Sequence, residues 1–264
     1  MRLNNKLLYP ILIISACLLM LPTGCEKNDD LDNDNENGDI EHEITYGSVT
    51  DKDGNEYTTV IIGDQEWMAE NLRVTQYNNG DRIPSGLSDE EWGNTTEGAY
   101  TYWDKDPAML EAYGVLYNWY AVNDSRNICP SGWHVASDYE WNQLSEYLID
   151  KYDVITSKNV GDYLKSCRQE GSPLGGDCDT QEHPRWTGHA THYGMDEFGF
   201  SALPGGMREA NGNYTAVGYG GFFWSANEIT NDEAIAFGFI YDSGELEMGG
   251  DVYNNGFCVR CVKD

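Results

Sequence analysis

Cations are scarce in this chain: 16 lysines and arginines face 45 aspartates and glutamates, giving a formal charge of −29. So acidic a surface repels phosphate backbones and anionic headgroups, which argues against nucleic acid as a partner. Long apolar runs are absent after Leu21, so nothing beyond that point reads as a membrane span. The chain also lacks a Gly-x-Ser-x-Gly nucleophile elbow, a phosphate-binding loop and a His-Glu-x-x-His helix, which removes the local signatures of three large enzyme classes. A second Cys-x-x-Cys is missing too, so Cys258-Val-Arg-Cys261 has no partner motif with which to build a four-cysteine zinc site.

What is present starts at the N-terminus. Arg2 and Lys6 precede an apolar run from Leu7 to Leu21, interrupted by Pro10 and followed by Pro22-Thr-Gly-Cys25. A basic start, a short apolar segment and small residues before a polar chain read as a secretory signal over residues 1–24. Gly24-Cys25 resembles the lipobox of bacterial lipoproteins, in which the signal is cut before the cysteine and Cys25 takes lipid. Pro22 departs from the usual aliphatic residue there, with Leu21 one place early. Several acyl chains on one cysteine hold a protein at a membrane stably. Residues 25–44 then read as an acidic, disordered tether: Lys27 is the single cation among nine acids between Glu26 and Glu43. The acids directly after Cys25 resemble the surface-export signal of Bacteroidetes lipoproteins. The expected location is therefore the outer membrane, surface-exposed, with the bilayer touched through the lipid anchor alone.

The remainder, residues 45–264, reads as one domain. With 18 tyrosines, 8 tryptophans and 29 glycines, it suggests short strands and many loops. Asp53-Gly54 between two β-prone runs predicts a hairpin across 49–62. Residues 78–112 read as polar loop. Ser137-Asp-Tyr-Glu140 is a capping box, and Trp141, Leu144 and Leu148 recur on one helical face behind it. A short helix is expected over 161–166. Strands are expected at Phe198-Gly-Phe200, Phe222–Ser225, Ala234–Tyr241 and Gly256–Val262.

Export implies oxidised cysteines. After removal of Cys17 with the signal and lipidation of Cys25, an odd five remain. Cys167 and Cys178 enclose a short, glycine-rich segment that closes easily, and such a bridge contributes about 3 kcal/mol in the chain-entropy model. Spacing does not decide whether Cys258 or Cys261 pairs with Cys129.

Six segments taken in order carry a family resemblance: Gly63–Leu72, Tyr113–Ala121, Cys129–Val135, Gly199–Gly206, Phe223–Ser225 and Gly256–Asp264. Together they resemble the Fibrobacter succinogenes major paralogous domain of surface lipoproteins, over nearly all of 45–264. The resemblance implies an α+β, C-type lectin-like fold, related to that of the formylglycine-generating enzyme. Its short twisted antiparallel strands would carry flanking helices and long loops, with the chain ends together in one sheet. It also implies that Cys129 pairs with Cys261, since both fall on the family's own cysteines. Cys258, where the family usually has serine, becomes the free thiol, and Cys167–Cys178 falls in a family-variable loop as the second bridge. The calcium-lectin motifs Glu-Pro-Asn, Gln-Pro-Asp and Trp-Asn-Asp do not occur here.

Candidate site residues come from rings in polar surroundings. Trp92, Tyr102 and Trp103 lie among acids, threonines and glycines, and Trp186 lies among histidines and glycines. Exposed rings stack on sugar faces while carboxylates and amides bond the hydroxyls. Trp67, Trp119, Trp133, Trp141 and Trp224 are instead assigned to packing. His183, His189 and His192 are weak metal candidates, irregularly spaced in a glycine-rich stretch. No catalytic residue and no cofactor is expected. The chain thus reads as a non-enzymatic envelope lipoprotein, a binding or adhesion module for polysaccharide or surface glycan, with surface proteins as further partners. Two readings from other classes stand beside it: an enzyme of the formylglycine-generating or metal-dependent type, and a structural or fimbria-like surface component.

Overall fold

Tryptophan-rich seams between two β-sheets organise the chain, in a computed structural model that describes residues 42–264. The signal segment, Cys25 and the tether up to residue 41 lie outside the described residues. The chain opens with β1 (Thr45–Thr50), β2 (Glu56–Ile62) and β3 (Gln65–Met68). An irregular stretch follows, carrying α1 (Asp89–Asn94), β4 (Tyr100–Thr101), α2 (Pro107–Tyr113), β5 (Leu116–Tyr117) and α3 (Trp119–Val122). Next come β6 (Trp133–Val135), α4 (Asp138–Lys151) and α5 (Val160–Leu164). The last third holds β7 (Gly205–Arg208), β8 (Tyr214–Val217), β9 (Gly220–Glu228), β10 (Glu233–Ile240), β11 (Glu247–Val252) and β12 (Cys261–Lys263).

One sheet has the order β1-β2-β3-β12-β6 and the other β11-β10-β9-β7-β8, with β4 and β5 paired separately. The hairpin predicted at Asp53-Gly54 is formed by β1 and β2. The Asp51 carboxylate accepts from the Asp53 and Asn55 amides, both at 2.9 Å, and Gly54 supplies φ +87°. The final strand, β12, enters between β3 and β6, placing Val262 opposite Trp67 and Cys261 opposite Val135. The first and last strands therefore share a sheet.

Helix α4 begins where its capping box predicts, with Ser137 and Glu140 each satisfying an amide of the other. Its buried face, Trp141, Leu144 and Leu148, packs into the seam between the sheets. The Trp141 ring stacks on Phe237 of β10 at 5.2 Å and lies 4.9 Å from Trp67 of β3, so a single side chain touches both sheets. Below them runs Arg260, fully buried between the rings of Phe200 and Phe223. Its guanidinium donates to the carbonyls of Met68, Phe200 and Ser201 and to the Asn71 side chain, at 2.8 to 2.9 Å.

The α+β, lectin-like class implied by the resemblance does not hold. Strands predominate, one sheet curls into a half-barrel, and flanking helices are few among the described residues, where only α4 exceeds seven residues. The physical reason lies in the last third of the chain. Its glycine-separated aromatic segments join into a five-stranded sheet with its own buried face, in place of strands scattered among long loops. Phe198-Gly-Phe200, expected as a strand, is a turn: Gly199 has φ +67°, and both phenylalanines bury. Residues 78–112, expected as loop, contain α1 with a capping box of its own, Ser88 and Glu91.

Candidate functional site

The chain reverses sharply between β4 and α2. Trp103–Lys105 forms a 3₁₀ turn, and both Asp104 and Lys105 take the left-handed backbone, at φ +51° and +56°. Non-glycine residues adopt that conformation at a cost of roughly 1 kcal/mol or more, and such strain collects at binding sites. The Asp106 side chain then caps α2 by accepting from the Ala108 amide at 3.0 Å, with Pro107 in the first turn. The result is a half-buried Trp103 held edge-on to Tyr214 of β8, ring centroids 6.2 Å apart. The Trp103 indole N–H is buried and meets no acceptor among the described residues.

Tyr214 is fixed in turn. Its hydroxyl lies 2.7 Å from the Thr101 hydroxyl, and the buried Arg208 guanidinium sits 5.3 Å from its ring. Arg208 also lies over the Trp92 ring at 4.6 Å and holds the exposed Asp89 carboxylate at 2.8 Å. The β7–β8 turn closes the site. Gly212 at φ +93° leaves no room for a side chain, because a Cβ there would collide with the Asp89 side chain. Trp103, Tyr214, Asp89, Asp104, Lys105 and Asn213 thereby line an open cavity of about 520 Å³. Two rings, two carboxylates, an amide and an ammonium converge there.

Of the four aromatic candidates, only Trp103 belongs to this cavity. Trp92 is fully buried beneath Arg208, and Trp186 is also buried, its indole N–H donating to the Ala202 carbonyl at 3.2 Å. Neither offers a ring face to a ligand: each is covered by a cation drawn from elsewhere in the chain, Arg208 over Trp92 and Lys165 over Trp186. Tyr102 is half-buried and lies outside the cavity lining. The five tryptophans assigned to packing are all buried. Asp89, Asn213 and Tyr214 were not anticipated. Two short-range signals pointed to them, the Ser88–Glu91 capping box and the Asn211-Gly212 hairpin turn.

The three histidines do not converge. The His183 ring bonds the Tyr113 hydroxyl. His189 and His192 stack at 5.3 Å, and His192 faces the Asp162 carboxylate at 3.2 Å. That carboxylate also pairs with the buried Lys165 ammonium at 2.9 Å. Among the described residues no group of three or more histidine, cysteine or acidic side chains is arranged to hold a metal ion. Nor is Cys258-Val-Arg-Cys261 a dithiol. Cys261 is bonded to Cys129, Cys167 is bonded to Cys178, and Cys258 is buried with its thiol pushed up to about 12 by burial, against the pull of Arg260.

His134 of β6 has a different role. Its two ring nitrogens lie 2.7 Å from Asp264 and 2.8 Å from Glu140, joining the chain end to the capping box of α4. Partial burial lowers its pKa, but the hydrogen bonds and charges of Asp264 and Glu140 raise it further, so the net shift is upward. A raised histidine pKa stabilises the fold fully below the unfolded-state value, and that contribution fades as pH rises through the folded-state value. The urea midpoint is therefore expected to fall modestly as pH rises from about 6 to 8. His134→Gln should flatten that slope; an unchanged slope would place its origin elsewhere.

A protein-family model described as the Fibrobacter succinogenes major domain matches residues 60–263, from β2 to the last strand and across the whole of this site. No curated protein and no solved structure matches the chain.

Proposed function

The chain belongs to the Fibrobacter succinogenes major domain family, and we propose that this member is an envelope-anchored module that binds polysaccharide or surface glycan through the Trp103 cavity. The observation that carries the reading is the convergence of Trp103 and Tyr214 with Asp89, Asp104, Lys105 and Asn213 around one open cavity. An aromatic face takes the C–H side of a sugar ring, and carboxylates and an amide take its hydroxyls. Arg208 holds Asp89 and braces Tyr214, so two walls are ordered before a ligand arrives. Cys25 with its lipid, and the acidic tether behind it, would hold the domain away from the outer membrane and toward the medium.

The test is binding of the full chain to an array of plant, host and bacterial glycans, with calcium and with chelator. Saturable binding to a defined sugar is expected. Trp103→Ala should weaken it about tenfold or more, with the urea midpoint little changed. Tyr219→Ala, which removes an exposed ring outside the cavity, should not weaken it. A blank across the array would overturn the reading. Concentration-dependent self-association would then favour a structural surface component, and metal retained at stoichiometric level would favour an enzyme.

A further inference from the structure

Two open cavities flank Asn123 and Asp124, just after α3. One, of about 460 Å³, is lined by the apolar Val122, Val135 and Ala226 together with His134, Tyr139 and Gln143. The other, of about 520 Å³, extends toward Glu97, Tyr120 and Arg126. Asn123 and Asp124 line both, so the two adjoin as a trough, and neither shares a residue with the Trp103 cavity. We propose that this trough is a second binding site, built for an uncharged linear oligosaccharide that crosses Asn123 and Asp124.

Charge selects the ligand class. Asp124 is answered by Arg126 at 2.6 Å, and Arg126 also reaches Asp81 at 3.1 Å while lying over the Tyr77 ring at 3.9 Å. His134 is answered by Glu140 and Asp264. The ions around the trough are thus largely spent on one another, and the excess, Glu97, is negative. Among the described residues a phosphorylated or acidic ligand would find no free cation there, whereas a neutral hydroxylated one needs none.

The unengaged groups point the same way. The side-chain amides of Asn123 and Gln143 and the hydroxyls of Tyr120 and Tyr139 make no hydrogen bond to other described residues, although the neighbouring Asn127 is engaged at both ends, donating to Trp133 and accepting from Cys129. Each cavity also has one tyrosine. Tyr139 is 67% exposed on the first turn of α4, and Tyr120 is braced edge-on against Tyr253 at 5.4 Å. A ring and free amide or hydroxyl groups in each of two adjoining cavities suit a polymer of similar units. An extended peptide fits less well, since its affinity comes from a sheet edge or a deep apolar anchor, and the trough presents side-chain amides and hydroxyls.

The experiment records ¹H–¹⁵N spectra of the full chain titrated with cellohexaose, chitohexaose, mannohexaose and xylohexaose, with the matching trisaccharides and an unstructured polar peptide as comparators. At least one hexasaccharide is expected to shift the Asn123 and Gln143 side-chain amides saturably. It should bind at least tenfold more tightly than its trisaccharide, which offers half as many sugar units to the two cavities. Tyr139→Ala, an exposed position, should raise the hexasaccharide Kd about tenfold while leaving the spectrum otherwise folded. The proposal is overturned if no hexasaccharide moves those amides, if trisaccharide and hexasaccharide bind alike, or if the peptide binds more tightly than all four sugars. The Trp103 indole and Asn213 amide report the first cavity in the same spectra, so failure at either site is read separately.

Discussion

Replacing Arg260 with alanine is expected to remove about 5 kcal/mol of stability, enough to unfold much of the population of a domain whose total is about 5–15 kcal/mol. Four acceptors depend on this one guanidinium: the carbonyls of Met68, Phe200 and Ser201 and the Asn71 side chain. Each buried acceptor left without a donor costs about 1–3 kcal/mol, and truncation also opens a gap between the Phe200 and Phe223 rings. Burial lowers the arginine pKa to about 10, against the pull of Cys258, Asp196 and Glu70, so the group remains a cation at neutral pH. No direct ion pair holds it among the described residues; carbonyl dipoles and two ring faces do that work. Lysine is no substitute, because an ammonium cannot spread its donors in a plane between two rings. Arg260→Met, which keeps most of the volume, isolates the polar part and should still cost about 3–4 kcal/mol. Urea unfolding followed by tryptophan fluorescence reads all three variants. A methionine variant within about 1 kcal/mol of the parent would show that the four acceptors find other partners.

Arg260 also marks the boundary of what the chain discloses one segment at a time. Helix α4 was legible because its signals are local: a capping box followed by three apolar residues on one face. The β1–β2 hairpin was legible for the same reason, through Asp53-Gly54. Helix α1 has an equally good capping box but only six residues and one buried side chain, Trp92, so no periodicity supported it. Exposure of the rings was not legible at all. Trp92 and Trp103 sit eleven positions apart in similar polar surroundings, and what separates them is Arg208, more than a hundred residues away, covering the first and bracing the wall beside the second. The trough at Asn123 is a harder case still, since four segments meet there, and neither spacing nor composition brings Glu97 toward Arg126 or Tyr139 toward Asn123. Lectin-like architecture failed for a related reason. The family motifs cover β3, β6 and β12 with Arg260 but only parts of β7 and β9, whereas the fold class depends on how the glycine-rich strands β7 to β11 join.

Removing the Cys129–Cys261 bridge should cost about 4–5 kcal/mol, and removing Cys167–Cys178 about 3 kcal/mol. The difference follows from loop length, since the first spans 132 positions and the second 11. Crosslinking the longer loop excludes more of the unfolded ensemble. Packing adds to the same ordering. Cys129 and Cys261 are fully buried, and Cys261 begins the strand that sits between β3 and β6, so the bridge ties the approach to β6 to the strand on which the first sheet closes. Cys167 and Cys178 are half-buried at the base of a surface loop that contributes no strand to either sheet. Alanine is the informative replacement at the buried pair, because serine would bury a hydroxyl and add a penalty unrelated to the crosslink. The Cys129→Ala/Cys261→Ala variant is thus expected to show a much lower urea midpoint than the Cys167→Ala/Cys178→Ala variant. In the parent protein a mild thiol reductant should open Cys167–Cys178 first, since exchange needs access to sulfur. Mass mapping of alkylated cysteines after graded reduction reads that order. Equal losses in the two variants, or early reduction of Cys129–Cys261, would show that the long bridge does not hold the first sheet closed.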